Sequence, residues 1–207
     1  MHYMYHGEKL NTLTHLIGTA LAIIGTAILI NAAWAQASII KLMAASIFGA
    51  SLILLYGAST LYHWTHGELK SFFAKCDHCA IYILIAGTYT PFTLITLHDN
   101  WGGLLFSVVW LIALIGVARE LWWNKFAPPA VWLYLLMGWI GIVAAIPLFQ
   151  KLGVAGLSYL VAGCLLYSIG VIFYLPSSRW PHTHGIWHLF VMAGSIVHFF
   201  TVLYFVI

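Results

Sequence analysis

Charged residues are scarce in this chain of 207 residues, of which 6% are charged and 63% are hydrophobic. About a quarter of the residues in a soluble globular domain are charged, so the composition excludes that class of protein. The net charge of +3 is small and comes from scattered Lys and Arg residues, which argues against a nucleic-acid partner. With a mean hydropathy of +0.97, the chain is predicted to be an integral membrane protein.

Cysteine is also rare, and the three residues Cys76, Cys79 and Cys164 form no disulfide framework. The run Cys76-Asp-His-Cys79 has the spacing of a zinc or redox motif but lacks a second pair. We therefore expect it to be incidental, with metal contact as the alternative. The sequence also lacks a His-Glu-x-x-His motif, so a catalytic base would have to come from another helix.

Apolar segments long enough to cross a membrane dominate the sequence. A transmembrane helix needs about 20 apolar residues, and seven such segments are predicted. The connections between them are too short to hold a soluble domain, so residues 1–207 are predicted to be one all-α domain, a seven-transmembrane helix bundle. The predicted spans are 12–33, 39–63, 77–97, 102–123, 128–149, 153–175 and 184–206.

Basic residues predict the orientation of this bundle. Only Lys41 and Lys151 fall on one side of the seven predicted spans. The positive-inside rule therefore favours an N-terminus inside and a C-terminus outside, in a multi-pass protein of the cell inner (plasma) membrane. The basic residues on the other side are Lys9, Lys70, Lys75, Arg119, Lys125 and Arg179.

The first span could instead be a signal peptide, since it ends in Ala35-Gln-Ala37. Its apolar run is long for a signal peptide, and its removal would move the charges to the wrong faces of the remaining six spans. We therefore expect the first span to be retained.

Histidines near span ends are the most informative residues. His63 ends span two, Asp77 opens span three, and His184 and His188 open span seven. In a seven-span bundle all three positions lie at the same membrane face, together with the start of span one. Imidazole is costly in hydrocarbon and is usually kept there for pairing, proton transfer or metal binding. The first span adds Glu8, Asn11 and His15 to the same face.

The spacing of these residues suits a metal site. His184 and His188 are one helical turn apart, and Ser59 and His63 are related in the same way. Three imidazoles and a water make the open arrangement of catalytic zinc, in which Asp77 could orient or deprotonate the water. Ser59 could donate to a substrate carbonyl. The alternatives are isolated interfacial histidines, another metal such as iron, copper or nickel, or haem ligation.

The same residues belong to motifs that resemble the bacterial hemolysin III branch of the progestin and adipoQ receptor superfamily. The resemblance covers nearly the whole chain, with the motifs in the same order. The motifs are Glu8-Lys-Leu-Asn11-Thr-Leu-Thr14-His15, Ser59-x-x-x-His63, Asp77-His78 leading into Ala86-Gly-Thr-Tyr-Thr-Pro91, and His184-x-x-x-His188 followed by His198-Phe199.

The resemblance implies a seven-helix bundle with its N-terminus inside and Zn²⁺ held by three histidines. Carried over by motif, the ligands are His63, His184 and His188, with Asp77 reaching the ion through water and Ser59 beside it. The superfamily is similar to alkaline ceramidases, which implies hydrolysis of a lipid amide. Adiponectin receptors carry a soluble N-terminal segment without a counterpart here, so we do not transfer hormone binding.

Two further polar features have open roles. Glu8, Asn11 and His15 form a polar stripe that could close the site or bind headgroups, or simply cap and anchor the helix. His198 lies about 15 Å along span seven from His188, too far to share its ion. A hydrogen bond within the core is expected for His198, with the lining of a lipid cavity or a proton path as the alternative.

Three functions fit these patterns. The first is a zinc-dependent hydrolase acting on a membrane lipid amide or ester. The second is a non-enzymatic regulator or receptor of membrane lipid state with a structural zinc. The third, a pore-forming cytolysin, is the weakest because no polar stripe runs through a predicted span.

Overall fold

The computed structural model describes residues 8–123, 129–175 and 182–207, and this part of the chain is helical without a β-strand. Short π-helical turns, Phe92–Thr96 and Arg119–Trp123, follow α3 and α4, and a 3-10 turn, Ile140–Ala144, joins α5 to α6. The α-helices are α1 Glu8–Ala35, α2 Ile39–Trp64, α3 Gly67–Pro91, α4 Gly102–Ala118, α5 Val131–Trp139, α6 Ala145–Tyr174 and α7 Thr183–Phe205.

Six helical stretches within the described residues are long and apolar enough to cross a membrane, whereas the sequence predicted seven. The difference lies in Val131–Tyr174, a stretch of 44 residues in which α5, the 3-10 turn and α6 follow one another without a loop. Residues 131–149 and 153–174 of the predicted spans therefore fall within one helical stretch, and residue 128 lies outside the described part of the chain. The polar residues Gln150 and Lys151, taken as a connection, are helical.

This long stretch nevertheless folds back on itself. Gly153 interrupts the helical backbone with φ 66° and ψ −175°, a conformation that favours glycine. Trp139 Nε1 donates a hydrogen bond to Ser168 Oγ at 2.9 Å. In a straight helix these two residues would be more than about 40 Å apart, so the chain must reverse between them.

The third helix begins earlier than predicted. The sequence suggested a span that opens at Asp77, but α3 already starts at Gly67. Glu68 and Lys70 are helical rather than part of a connection, because a helix can continue with polar residues beyond its apolar section. Asp77 consequently lies in the third turn of α3, where its side chain is buried between helices.

Packing of α1, α2 and α7 positions the candidate site. Helix α2 packs against α1 and α3, and α7 packs against α6 and α1. Tyr56 on α2 donates a hydrogen bond to Ser195 on α7, with 2.6 Å between the oxygens. At one end of the bundle, Lys41 Nζ donates to the Ile207 carbonyl at 3.2 Å. The start of α7 therefore lies at the opposite end, beside the start of α1 and the end of α2.

Candidate metal centre

Three imidazoles converge where the end of α2 meets the start of α7. One ring nitrogen from each of His63, His184 and His188 lies within 4.8 Å of the others. The ring centroids are 4.7 to 5.2 Å apart. Two of the rings are almost inaccessible, with His63 3% and His188 0% exposed. The spacing of four residues on α7 brings His184 and His188 onto one face, and His63 completes the set from α2.

The Nε2 atoms of these histidines are buried and have no hydrogen-bond partner among the described residues. Burying even one polar atom without a partner costs free energy, so three of them together need an explanation. Convergent imidazole nitrogens are the donor set that a divalent transition metal takes in proteins. The arrangement can therefore hold one metal ion.

Glu8 orients the first of these rings. Its Oε2 atom lies 2.5 Å from His63 Nδ1, and its Oε1 atom accepts a hydrogen bond from Lys70 Nζ at 2.9 Å. When Nδ1–H donates to the carboxylate, the lone pair of the same ring stands on Nε2 and faces the other histidines. Carboxylate–histidine pairs of this kind orient metal ligands and increase their basicity.

Thr14 orients the His188 ring in a similar way. Its Oγ1 atom lies 3.2 Å from His188 Nδ1 and within 2.9 Å of the carbonyl oxygens of Leu10 and Asn11. Since the hydroxyl hydrogen is used by one of these carbonyls, the hydroxyl oxygen accepts from His188 Nδ1–H. The lone pair of His188 is then also on Nε2. The start of α1 thus sets the tautomer of two of the three histidines.

Asp77 and Ser59, the residues predicted to assist catalysis, lie beside this cluster. Both side chains are buried, and the Asp77 carboxyl interacts with Ser59 and His63. The Ser59 hydroxyl completes no hydrogen bond of normal geometry within the described chain. Asp77 is outside the group of three whose ligand atoms lie within 4.8 Å of one another. It is therefore placed next to the cluster rather than in it.

Asn11 and His15 complete the polar stripe of α1 and are buried. The His15 ring stacks on His188 with 3.6 Å between centroids and 13° between planes. Neither nitrogen of His15 has a hydrogen-bond partner in the described part of the chain. Glu8 and His15 thus contact the histidine cluster, through His63 and His188 respectively.

A cavity of about 660 Å³ opens beside the cluster. A volume of this size is typical of small-molecule sites. His15, Asp77 and His184 line it near the cluster, and His198 lines it as well. Most of the other lining side chains are apolar, for example Leu84, Leu148, Leu157, Leu160 and Val191. An extended apolar molecule could therefore fill the cavity with a polar group at the histidines.

The family model described as Haemolysin-III related matches residues 3–199. The chain belongs to the hemolysin III family. It is 42% identical to Hemolysin-3 of Bacillus cereus over 97% of this chain and 92% of that protein. It is 43% identical to the Hemolysin-3 homolog of Bacillus subtilis (strain 168), over 96% and 93% of the two chains.

The chain is also similar, at lower identity, to proteins of animals. The human monocyte to macrophage differentiation factor is 29% identical over 93% of this chain and 81% of its own. The resemblance inferred from the sequence motifs is thereby confirmed at the level of the family. This member of the family is a multi-pass membrane protein with helices α1, α2 and α7 meeting at a histidine cluster.

The remaining candidates lie away from the cluster. Cys76 and Cys79 are free thiols, and Cys79 Sγ lies 4.0 Å from the Val117 carbonyl oxygen. Neither belongs to a group of metal-binding side chains in the described residues. His198 hydrogen-bonds the Leu160 carbonyl through Nε2 at 3.0 Å and also lines the cavity, so it combines the two roles considered for it.

Sequence reasoning assigned no role to Thr14 or Lys70. A single hydroxyl in an apolar helix carries no signal that distinguishes a partner of histidine from a packing residue. Lys70 was interpreted only as a charge in a connection, because the start of α3 was placed ten residues too late. The predicted spans already placed Lys70 on the side of the bundle that carries Glu8, but the contact between these two side chains depends on how the helices pack.

Proposed function

We propose that this hemolysin III protein is a zinc-dependent hydrolase of a membrane lipid amide or ester. The observation that carries the proposal is the convergence of three buried Nε2 atoms, which have no hydrogen-bond partner among the described residues, beside a largely apolar cavity. His63, His184 and His188 would hold the ion, and zinc is preferred because it binds imidazole nitrogens in open, three-ligand catalytic sites. When bound, zinc would supply Lewis-acid polarisation of the scissile carbonyl.

The buried carboxyl and hydroxyl next to the cluster have separate roles in this reaction. Asp77 accepts a proton from the attacking water while the oxygen of that water bonds to the carbonyl carbon. As the carbon–nitrogen or carbon–oxygen bond breaks, Asp77 returns that proton to the leaving atom. Ser59 donates its hydroxyl hydrogen to the carbonyl oxygen, where negative charge develops. Its position beside Asp77 would let the hydroxyl turn from that carboxyl to a substrate carbonyl.

The membrane topology that suits this site has seven crossings, with an inside N-terminus and an outside C-terminus in the plasma membrane. The fold-back of Val131–Tyr174 supports counting that stretch as two crossings. A length of 44 residues is also about twice what one span requires. The distribution of basic residues supports the orientation and would place the histidine cluster towards the cytoplasmic leaflet.

Metal analysis and lipid hydrolysis test the proposal on the same purified protein. We expect about one zinc per chain in the wild type, none in His184→Ala, and an unchanged content in His98→Ala, which removes an exposed imidazole. Asp77→Asn should keep its zinc but hydrolyse a lipid amide or ester at least about 100-fold more slowly. Full activity in zinc-loaded Asp77→Asn would contradict the proposed mechanism.

A regulator or receptor with a structural zinc is the second candidate. It is favoured by the way Glu8 and Thr14 on α1 hold rings from α2 and α7, so that a bound ion would tie three helices together. For this function, His188→Ala would lower the thermal unfolding temperature strongly. Zinc-loaded wild-type protein would then show no hydrolysis of any lipid amide or ester offered.

A further inference from the structure

The cavity beside the cluster extends along the whole length of α3. Its lining begins next to the cluster at Asp77 and ends at Leu97, just after the π-helical turn that follows α3. A helix covers about 30 Å between these two positions. Every turn between them contributes at least one lining side chain, in the series Asp77, Ile81, Leu84, Thr88, Phe92 and Leu97. The cavity therefore runs without interruption from the cluster to the end of α3.

Helix α6 lines the cavity over a similar length. Its lining residues extend from Leu157 to Tyr174, which corresponds to about 25 Å. The centroid of the Tyr174 ring lies 5.8 Å from that of His184, so the last turn of α6 is at the cluster. One lipid leaflet contributes about 15 Å to the hydrocarbon core of a bilayer. The cavity is therefore long enough for an apolar chain that exceeds the depth of one leaflet.

Buried side chains close the far end of the cavity, opposite the cluster. Gly102 holds the start of α4 close to this wall, because a Cβ atom there would lie 2.1 Å from the Thr93 carbonyl oxygen. Lys151 Nζ donates to Asp99 Oδ2 at 2.6 Å and ties α6 to the turn before α4. The side chains of the far wall, none more than 6% exposed, are Phe92, Leu97, Leu105 and Leu148.

An opening at the surface of the bundle lies short of this wall. Ile142 and Val161 both line the cavity and are 67% and 38% exposed, so the gap between the 3-10 turn and α6 reaches the outer surface. Ile142 precedes Leu148 by about 9 Å of helix. The space between the opening and the far wall is therefore a blind end, lined mainly by apolar side chains.

We propose that this blind end sets the length of the acyl chain that the protein accepts, with Leu105 and Leu148 fixing the limit. The inference rests on the proposed function in one respect, namely that the carboxyl or carbonyl end of the chain lies at the histidine cluster. A chain of about 30 Å then fills the cavity to its wall. A shorter chain leaves part of the wall without contacts, and a longer chain collides with tightly packed side chains.

Displacement of a fluorescent fatty acid from the purified full-length protein tests this inference. The competitors are two saturated fatty acids with extended lengths of about 15 and about 30 Å. Leu105→Trp fills the blind end and should weaken binding of the longer acid at least about tenfold, while binding of the shorter acid stays unchanged. Leu104→Trp is the matched control, because the neighbouring side chain is 60% exposed on the outside of the bundle. It should bind both acids as the wild type does.

Leu148→Phe fills the same end by a smaller volume and should weaken binding of the longer acid about threefold. It keeps the test decisive if thermal unfolding shows that Leu105→Trp does not fold. Undiminished binding of the longer acid by both filled variants would overturn the inference, as would an equal loss for both acids.

These measurements require neither zinc nor turnover, so the inference and the proposed function can fail separately. A length limit in a protein that hydrolyses no lipid would support the inference and contradict the hydrolase. Hydrolysis without any length limit would do the reverse. Failure of both acids to displace the probe from the wild type would contradict an acyl chain as the occupant of the cavity, and with it the inference.

Discussion

His188 and His198 lie on the same helix and are both buried, but their rings are held in opposite ways. At His188 the Nδ1 atom pairs with Thr14, and the open Nε2 faces two other imidazoles. At His198 the Nε2 atom pairs with Leu160, and Nδ1 is buried without a hydrogen-bond partner among the described residues. Only the free nitrogen of His188 faces other imidazoles, so only His188 belongs to the candidate metal site.

The largest expected difference between the two positions is in metal content. We expect His188→Ala to lose its zinc, because two remaining imidazoles cannot complete the site, whereas His198→Ala keeps about one zinc per chain. Elemental analysis of the purified proteins measures this, with thermal unfolding to show that both variants fold. Loss of zinc from both variants would contradict the expectation that only His188 is a metal ligand.

Removal of the charged partner of the cluster should have the next largest effect. Glu8→Gln takes the carboxylate away from His63 Nδ1, so the ring loses both its orientation and part of its basicity. We expect the affinity for zinc, measured by competition with a chelator, to fall about 10- to 100-fold. Glu68→Gln is the matched control, since that carboxylate is exposed near the same end. An equal loss in both variants would indicate a general charge effect.

A substitution that crowds the His198 ring should lower the stability of the protein and leave metal binding unchanged. The Cβ of Gly163→Ala would lie 2.2 Å from His198 Nε2 and would push the ring from the Leu160 carbonyl. We expect the free energy of unfolding to fall by about 1–3 kcal/mol, with zinc content unchanged. Gly57→Ala is the control, because a Cβ there meets nothing within 4 Å. A stable Gly163→Ala protein would show that the ring can move freely.

Removal of the Thr14 hydroxyl, the neutral hydrogen-bond partner of the cluster, should have the smallest effect on zinc affinity. Thr14→Val keeps the shape of the side chain but removes the oxygen that accepts from His188 Nδ1. We expect zinc affinity to fall about fivefold, less than for Glu8→Gln, because a neutral hydrogen bond is weaker than one to a carboxylate. Thr19→Val tests the specificity of the effect, since the Thr19 hydroxyl donates to the His15 carbonyl. A larger effect at Thr19 would argue against this assignment.

Some of the site could be predicted from local patterns. The spacing of His184 and His188 is a property of one helix and holds wherever that helix packs. His63, Asp77 and the α1 stripe were expected at the same end of the bundle from span counting. The start of α3 was not predicted correctly, because Glu68 and Lys70 were taken as part of a connection although they lie within the helix. Two spans were predicted in Val131–Tyr174, which forms one apolar helical stretch with non-helical backbone at Gly153.

Long apolar stretches and the positions of the histidines along them follow directly from the order of residues, because hydrophobicity and helical spacing are local properties. Three other features do not: the convergence of three Nε2 atoms, the contact of Glu8 with His63, and the cavity that His198 helps to line. They depend on how far each helix is rotated and how closely it packs against its neighbours. Side chains distant in sequence set those quantities together, so they emerge only in the folded bundle.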